Sequence, residues 1–185
     1  LSSKQPAKQG EPSREMIETA VAQYQATYDT EWGGFGVAPK FPAAHNLLFL
    51  LRAASTADKA EAQQMAEHTL KAMARGGIFD QIGGGFSRYS TDVRWLAPHF
   101  EKMLYDNALL AMTYLEAYRI TGKDFYQSIL RRTLDYILRE LQGEFGGFCC
   151  GQDADSDGEE GKYYLFTEME IMNVLGYQEG EAFCK

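Results

Sequence analysis

Along most of this chain apolar residues return every three or four positions, the spacing that places them on one face of a helix. The pattern predicts six helices. The first runs from about Ser13 to Tyr28, with Ile17, Ala20, Val21, Tyr24 and Tyr28 on one face and Pro12 near its start. The second follows Phe41-Pro42. Its run Leu47, Leu48, Phe49, Leu50, Leu51 is apolar all round, so this helix is expected to be buried on most sides. The third spans Asp58 to Arg75 and stops at Gly76-Gly77. The fourth is expected to open at Pro98, a favoured first-turn residue, with Phe100, Leu104, Ala108, Ala111 and Leu115 inward, and to end at Thr121-Gly122. The fifth covers Asp124 to Leu141, with Phe125, Ile129, Leu134, Ile137, Leu138 and Leu141 inward. The sixth opens on a capping box, Thr167 with Glu170, and stops at Gly176.

The connections alternate strictly in length. Helices two and three, and four and five, are joined by a few residues, whereas the other three links run to about 14, 22 and 25 residues against a usual 2 to 8. If neighbouring helices are antiparallel, all three long loops emerge at one end of the bundle, which becomes the candidate functional face. Each long loop also carries a Gly-Gly-aromatic element: Gly33-Gly34-Phe35, Gly84-Gly85-Phe86 and Gly146-Gly147-Phe148. Recurrence at about 50 and 60 residues points to an array of helical hairpins, each needing neighbours to bury its apolar faces. Runs such as Tyr163-Tyr164-Leu165-Phe166 suit short β-hairpins within these loops. The fold class expected is therefore all-α.

Composition narrows the function classes. The chain has 185 residues, 45% of them hydrophobic, and the longest richly apolar run is five residues, far short of a membrane span. A net charge of −8 with dispersed Lys and Arg argues against nucleic acid as a partner. Residues 1–12 read as a solvated linker without the apolar core of a signal peptide, and 13–185 as the helical domain. Three cysteines cannot all pair, and adjacent Cys149 and Cys150 suit each other poorly, so free thiols in a reducing, cytoplasmic setting are expected.

Candidate chemistry concentrates between Gly76 and Asn107, where a glycine-rich acidic loop runs into the expected start of the fourth helix. His99 and Glu101 would lie in its first turn, where the dipole favours a neutral imidazole and an ionised carboxylate, either suited to act as a base. Helical spacing would align His99, Met103 and Asp106, and place Tyr105 above Glu101. Asp80 and Asp153 complete the expected acid/base set. Trp32, Phe35, Tyr89 and Trp95, with Phe86 and Phe148, would give an aromatic rim. Arg88, Tyr105 and Asp106 add the polar contacts that a small carbohydrate requires. Asp153-Ala154-Asp155-Ser156-Asp157-Gly158 begins like a calcium loop, but its twelfth residue is Tyr164 where a bidentate Glu is needed, and Glu160 fills a normally apolar position. With no zinc-type spacing, P-loop or dinucleotide motif either, neither metal nor cofactor is expected.

Four segments carry a resemblance: residues 33–42, residues 80–90, the stretch from Trp95 to Asn107, and Asp153-Ala154-Asp155-Ser156. They resemble the YyaL/spermatogenesis-associated protein 20 family, over nearly the whole chain from about Thr27. The resemblance implies an (α/α)6 toroid of the six-hairpin glycosidase type, related to N-acylglucosamine 2-epimerases. Family members carry a thioredoxin-like domain with a Cys-x-x-Cys-type motif; here no Cys precedes Cys149. Six helices make three hairpins, about half of such a barrel, so self-association through exposed hairpin flanks is expected. Two functions follow as expectations. One is a carbohydrate-active toroid, glycosidase-like or epimerase-like, in which Arg88, Trp32 and Trp95 orient a sugar. The other is a non-catalytic platform beside a thioredoxin-like redox domain.

Overall fold

The computed structural model describes residues 13–57 and 59–185, so the expected linker lies outside the described residues. Seven α-helices form among the described residues. They are α1 (Arg14–Thr27), α2 (Ala44–Ala57), α3 (Ala60–Arg75), α4 (Leu104–Thr121), α5 (Asp124–Tyr136), α6 (Glu168–Leu175) and α7 (Tyr177–Phe183). A π-helical turn, Ile137–Leu141, extends α5. Six strand pieces of two residues each pair in the long loops: β1 (Tyr89–Ser90), β2 (Pro98–His99), β3 (Lys102–Met103), β4 (Gly151–Gln152), β5 (Asp155–Ser156) and β6 (Glu159–Glu160).

The core is built where α2, α3 and α4 meet. Leu47, Leu50 and Leu51 of α2, Leu70 and Met73 of α3, and Leu110 and Tyr114 of α4 are all fully buried. The Tyr114 hydroxyl donates to the Leu70 carbonyl at 2.7 Å, which ties α4 to α3 by a polar contact inside the apolar layer. Glu67 of α3 is the second tie. It accepts hydrogen bonds from Lys123 Nζ at 2.6 Å, Tyr126 Oη at 3.0 Å and Lys71 Nζ at 3.1 Å. Burial pushes the Glu67 carboxyl up, but the Lys123, Gln63, Lys71 and Tyr126 donors outweigh it and bring it down to about 2.

The three long loops do gather at one end. Lys40 of the first pairs with Ser90 of the second, and β3 of the second pairs with β4 of the third. The recurrent Gly-Gly-aromatic element also has one geometry: its aromatic closes an antiparallel bridge to the end of the preceding segment, Tyr28 to Phe35, Phe79 to Phe86 and Gln142 to Phe148. In the first two copies an aspartate organises the turn. Asp29 Oδ1 accepts from the Glu31 and Trp32 amides, and Asp80 Oδ1 from the Ile82 and Gly83 amides. The second oxygen of each grips a buried lysine, Lys40 at 2.6 Å and Lys102 at 2.8 Å. Each of these lysines lies on the segment that pairs with the next loop, so the ion pair fixes the turn of one repeat onto the segment that meets its successor. In the third copy Gly143 stands at the corresponding place and the turn closes through backbone alone, Gly143 N–H to Gly147 O at 2.7 Å.

Several expectations need correction. The fourth helix begins at Leu104, and residues 98–103 are extended. Pro98 fits this segment because its fixed φ suits an edge strand as well as a helix start. What decides the matter is pairing: β2 lies against β1 with Tyr89 opposite His99, the Arg88 amide donates to Glu101 O, and the Leu104 amide donates to Cys150 O. The inward face of α4 is Asn107, Leu110, Thr113, Tyr114 and Ala117; Ala111 is buried too, but Leu115 is exposed. Along α5 and its π turn, Tyr126, Ile129, Thr133, Tyr136, Ile137 and Leu141 are buried, while Leu134 and Leu138 are exposed. The outward residues line an apolar groove of about 370 Å³ between α4 and α5, with Leu104, Met112, Leu115, Leu134 and Phe148 in its walls. The capping box at Thr167 forms as expected, with Glu170 Oε2 accepting from the Thr167 amide. α6 buries none of its residues, and α7 was not anticipated.

Candidate functional site

The extended segment 98–103 has two faces because successive side chains on a strand point to opposite sides. His99 and Glu101 take one face, Phe100 and Lys102 the other. Each face builds a different polar cluster, and the acid/base residues expected from the sequence divide between them.

On the first face the His99 imidazole stacks on Tyr89, with centroids 5.0 Å apart and planes at 19°, and Tyr89 in turn packs on Phe41 at 5.0 Å. His99 Nδ1 lies 2.6 Å from Glu160 Oε1. Glu101 Oε2 holds Arg88 Nη1 at 2.8 Å. Beside this pair is a cavity of about 350 Å³ between the N-termini of α2 and α4, lined by Phe41, His45, Arg88, Tyr105, Asp106 and Leu109 among others. Asp106 stands in the first turn of α4, and its Oδ2 is buried with no hydrogen-bond partner among the described residues. Burial raises its carboxyl to about 6; the Arg88 guanidinium opposes the rise and the Glu101 carboxylate adds to it. The helix N-terminus would favour an ionised Asp106, yet loss of water dominates because Arg88 is already committed to Glu101.

On the second face Phe100 stacks on Tyr164, centroids 5.2 Å apart. Lys102 is 2% exposed and donates to Asp80 Oδ2 and to Gly84 O, with its ammonium over the Tyr136 and Tyr164 rings at 4.6 and 4.9 Å. Burial acts to raise the Asp80 carboxyl, but the Lys102 hydrogen bond and charge, with the Gly83 and Ile82 amides, hold it below the usual range. A second cavity of about 340 Å³ lies here, reached by Asp80, Asp153, Arg139 and Tyr163.

Asp80 therefore serves the scaffold, with three donors on its two oxygens: the Ile82 and Gly83 amides and the Lys102 ammonium. Asp153 Oδ1 accepts from the Asp155 amide, opening a tight hairpin of β5 and β6 whose turn residues Asp157 and Gly158 both have positive φ, 54° and 78°. Among the described residues no three His, Cys, Asp or Glu side chains group as metal ligands would. Trp95 is not on a rim. It is fully buried with φ 64°, and its indole N–H donates to the Trp32 carbonyl at 2.9 Å. Phe35 packs on Tyr24 and Tyr28, and the Trp32 ring lies under Arg94, so these rings pin the first loop to the helices. Arg88, Tyr105 and Asp106 do line one cavity, with Glu101 paired to Arg88, while Tyr89 and His99 stack on each other nearby and are not among the residues that line it. Sequence reasoning missed Phe41, His45 and Glu160 in this cluster; the one signal for Glu160 was its charge at an apolar position of the failed calcium-loop match.

No protein-family model matches the sequence. Spermatogenesis-associated protein 20 of Homo sapiens is 48% identical over 163 residues, which is 83% of this chain and 21% of that protein. The rat protein of the same name is 46% identical over 90% of this chain and 22% of its own length. The chain belongs to the spermatogenesis-associated protein 20 family. It spans about a fifth of the length of the curated relatives it matches. Solved structures place this family segment in a fold: a cellobiose 2-epimerase from Bacillus thermoamylovorans superposes at TM-score 0.66 and 13% identity, over 92% of this chain and 53% of the epimerase. A sugar epimerase from a ruminal bacterium gives 0.67 and 19%, over 90% and 49%. The segment thus has the architecture of about half an α/α toroid. No helix among its described residues is long and apolar enough to cross a membrane.

Proposed function

We propose that this segment supplies one wall of a carbohydrate-binding cavity and that Asp106 acts there as an acid/base group in sugar epimerisation or isomerisation. The observation that carries this reading is the buried, unpartnered Oδ2 of Asp106 in a cavity that also presents Arg88 and aromatic surface. A carboxyl raised to about 6 exchanges a proton readily near neutrality, which is what a base acting on the carbon beside a sugar carbonyl needs. Abstraction of that proton leaves negative charge on the carbonyl oxygen, and the Arg88 guanidinium, whose bond to Glu101 engages Nη1, has further N–H groups with which to stabilise it. Phe41 and Tyr105, which line the cavity, offer ring surface for the C–H side of a sugar. The sugar-epimerase architecture supports the same class of chemistry.

The test uses the full-length protein with a panel of reducing sugars in D2O, following loss of the proton at the carbon beside the carbonyl by NMR. Exchange is expected with at least one sugar, and Asp106→Asn is expected to reduce it by about 10²-fold or more. As a base, Asp106 is active when ionised, so the rate is expected to fall as pH drops through about 6. Release of new reducing ends without exchange would point to hydrolysis instead. A second reading, a non-catalytic platform partnering a thioredoxin-like redox domain, draws on the fact that Asp80 and Asp153 are turned onto loop backbone amides. That reading prevails if no sugar exchanges or binds and Asp106→Asn changes nothing measurable.

A further inference from the structure

His99 is held on three sides by groups from two different loops. Its backbone is fixed in β2 by pairing with β1, and its ring plane is fixed by the stacked Tyr89. Its Nδ1 meets Glu160 Oε1 at 2.6 Å across 61 residues of sequence. Nε2 makes no hydrogen bond among the described residues. A carboxylate accepts hydrogen bonds and does not donate them, so in the neutral imidazole the contact places the proton on Nδ1 and leaves Nε2 with a bare lone pair.

The hairpin that delivers Glu160 is docked, not free. Gly161, with φ 76°, lies so close under Phe100 that a Cβ there would sit 2.6 Å from the ring, and its amide donates to Ala154 O at 2.9 Å. Tyr164 stacks on the far side of the same segment at Phe100. Glu160 and His99 therefore approach each other because Phe100, the neighbour of His99 in sequence, anchors the residues just beyond Glu160.

We propose that Glu160 is the positioning residue of His99, selecting the Nδ1–H tautomer of the neutral imidazole so that Nε2 is left as a proton acceptor in the cluster on this strand face, beside the Arg88–Glu101 pair. The inference rests on the reading of that cluster as an acid/base site, but its physical core does not. The two side chains are 27% and 51% exposed, so what separates this contact from an ordinary surface ion pair, which contributes little, is the stacked ring and the docked hairpin that fix its geometry. A carboxylate that orients a working histidine, by contrast, typically affects activity about ten- to a hundredfold when removed.

The experiment is long-range 1H–15N NMR on full-length protein carrying 15N-labelled histidine, with His99→Gln used to assign the His99 signals. Wild-type protein above pH 7.5 is expected to show His99 as the Nδ1–H tautomer. Glu160→Ala is expected to move it towards Nε2–H, and Glu160→Gln, whose amide oxygen still accepts, to retain much of the wild-type pattern. An Nε2–H signal in the wild type, or an unchanged tautomer in Glu160→Ala, overturns the proposal, and the wild-type measurement decides even if a variant fails to fold. In the sugar-exchange assay Glu160→Ala is expected to lower kcat about ten- to a hundredfold with little change in KM; an unchanged kcat also overturns it. If no sugar exchanges with wild-type protein, the function proposed above fails, while the tautomer still decides whether Glu160 orients His99.

Discussion

Asp80 and Asp106 lie on opposite sides of the same extended segment and differ in what the fold offers their second oxygen. Asp80 has the Lys102 ammonium at 2.8 Å, which holds its carboxyl below the usual range; Asp106 Oδ2 has no partner among the described residues, and burial raises its carboxyl to about 6. The consequences for stability have opposite signs. A depressed carboxyl stabilises the fold above its unfolded value and loses that contribution as pH falls; a raised one opposes folding once pH exceeds the unfolded value. At pH 7 Asp80→Asn, which leaves Lys102 buried without its counter-ion, is expected to cost about 3 kcal/mol. Asp106→Asn is expected to raise Tm slightly while removing sugar exchange, the usual opposition between a strained site and stability. Thermal melts of the two variants at pH 7 check both; a stabilised Asp80→Asn contradicts the scaffold role argued for it.

At the scale of elements, the glycine pairs are legible in the sequence but their demands are not equal. Gly84 has φ 77°, and a Cβ there would lie 2.6 Å from the Arg132 carbonyl oxygen, a backbone atom that cannot swing aside. Gly146 has φ 81° and open space around it. Gly146→Ala therefore suffers only the left-handed penalty, about 1 kcal/mol, whereas Gly84→Ala is expected to cost about 3 kcal/mol or more. Urea unfolding midpoints of the two variants measure the difference, and equal midpoints would mean that the α5 contact is not limiting. The start of α4 shows why such elements are hard to read locally. Pro98 and Glu101 satisfy the rules for a helix opening, yet this segment pairs with β1 across a short loop and with β4 about 50 residues further on, and no helix-start rule reports either pairing.

For the whole molecule, the question is which side of each helix meets a neighbour. α4 buries Leu110 and Tyr114 against α2 and α3 and leaves Met112 and Leu115 in the groove beside α5. Leu110→Ala is expected to cost about 3 kcal/mol, because a full cavity opens in a close-packed layer, and Met112→Ala less than about 0.5 kcal/mol. Comparable losses in chemical denaturation would show that the groove is filled in solution, as self-association through the hairpin flanks would do. Helix number up to α6, the alternation of long and short links, and the common end of the long loops follow from period and spacing, because those patterns are local. So does the repeat, whose glycines and aromatics recur in order. The inward face of α4 and α5, the extended course of residues 98–103, the burial of Trp95 and the meeting of His99 with Glu160 were settled only in three dimensions. Each depends on a partner far along the chain, and a helix with apolar residues on two faces carries no mark of which face its neighbours will cover.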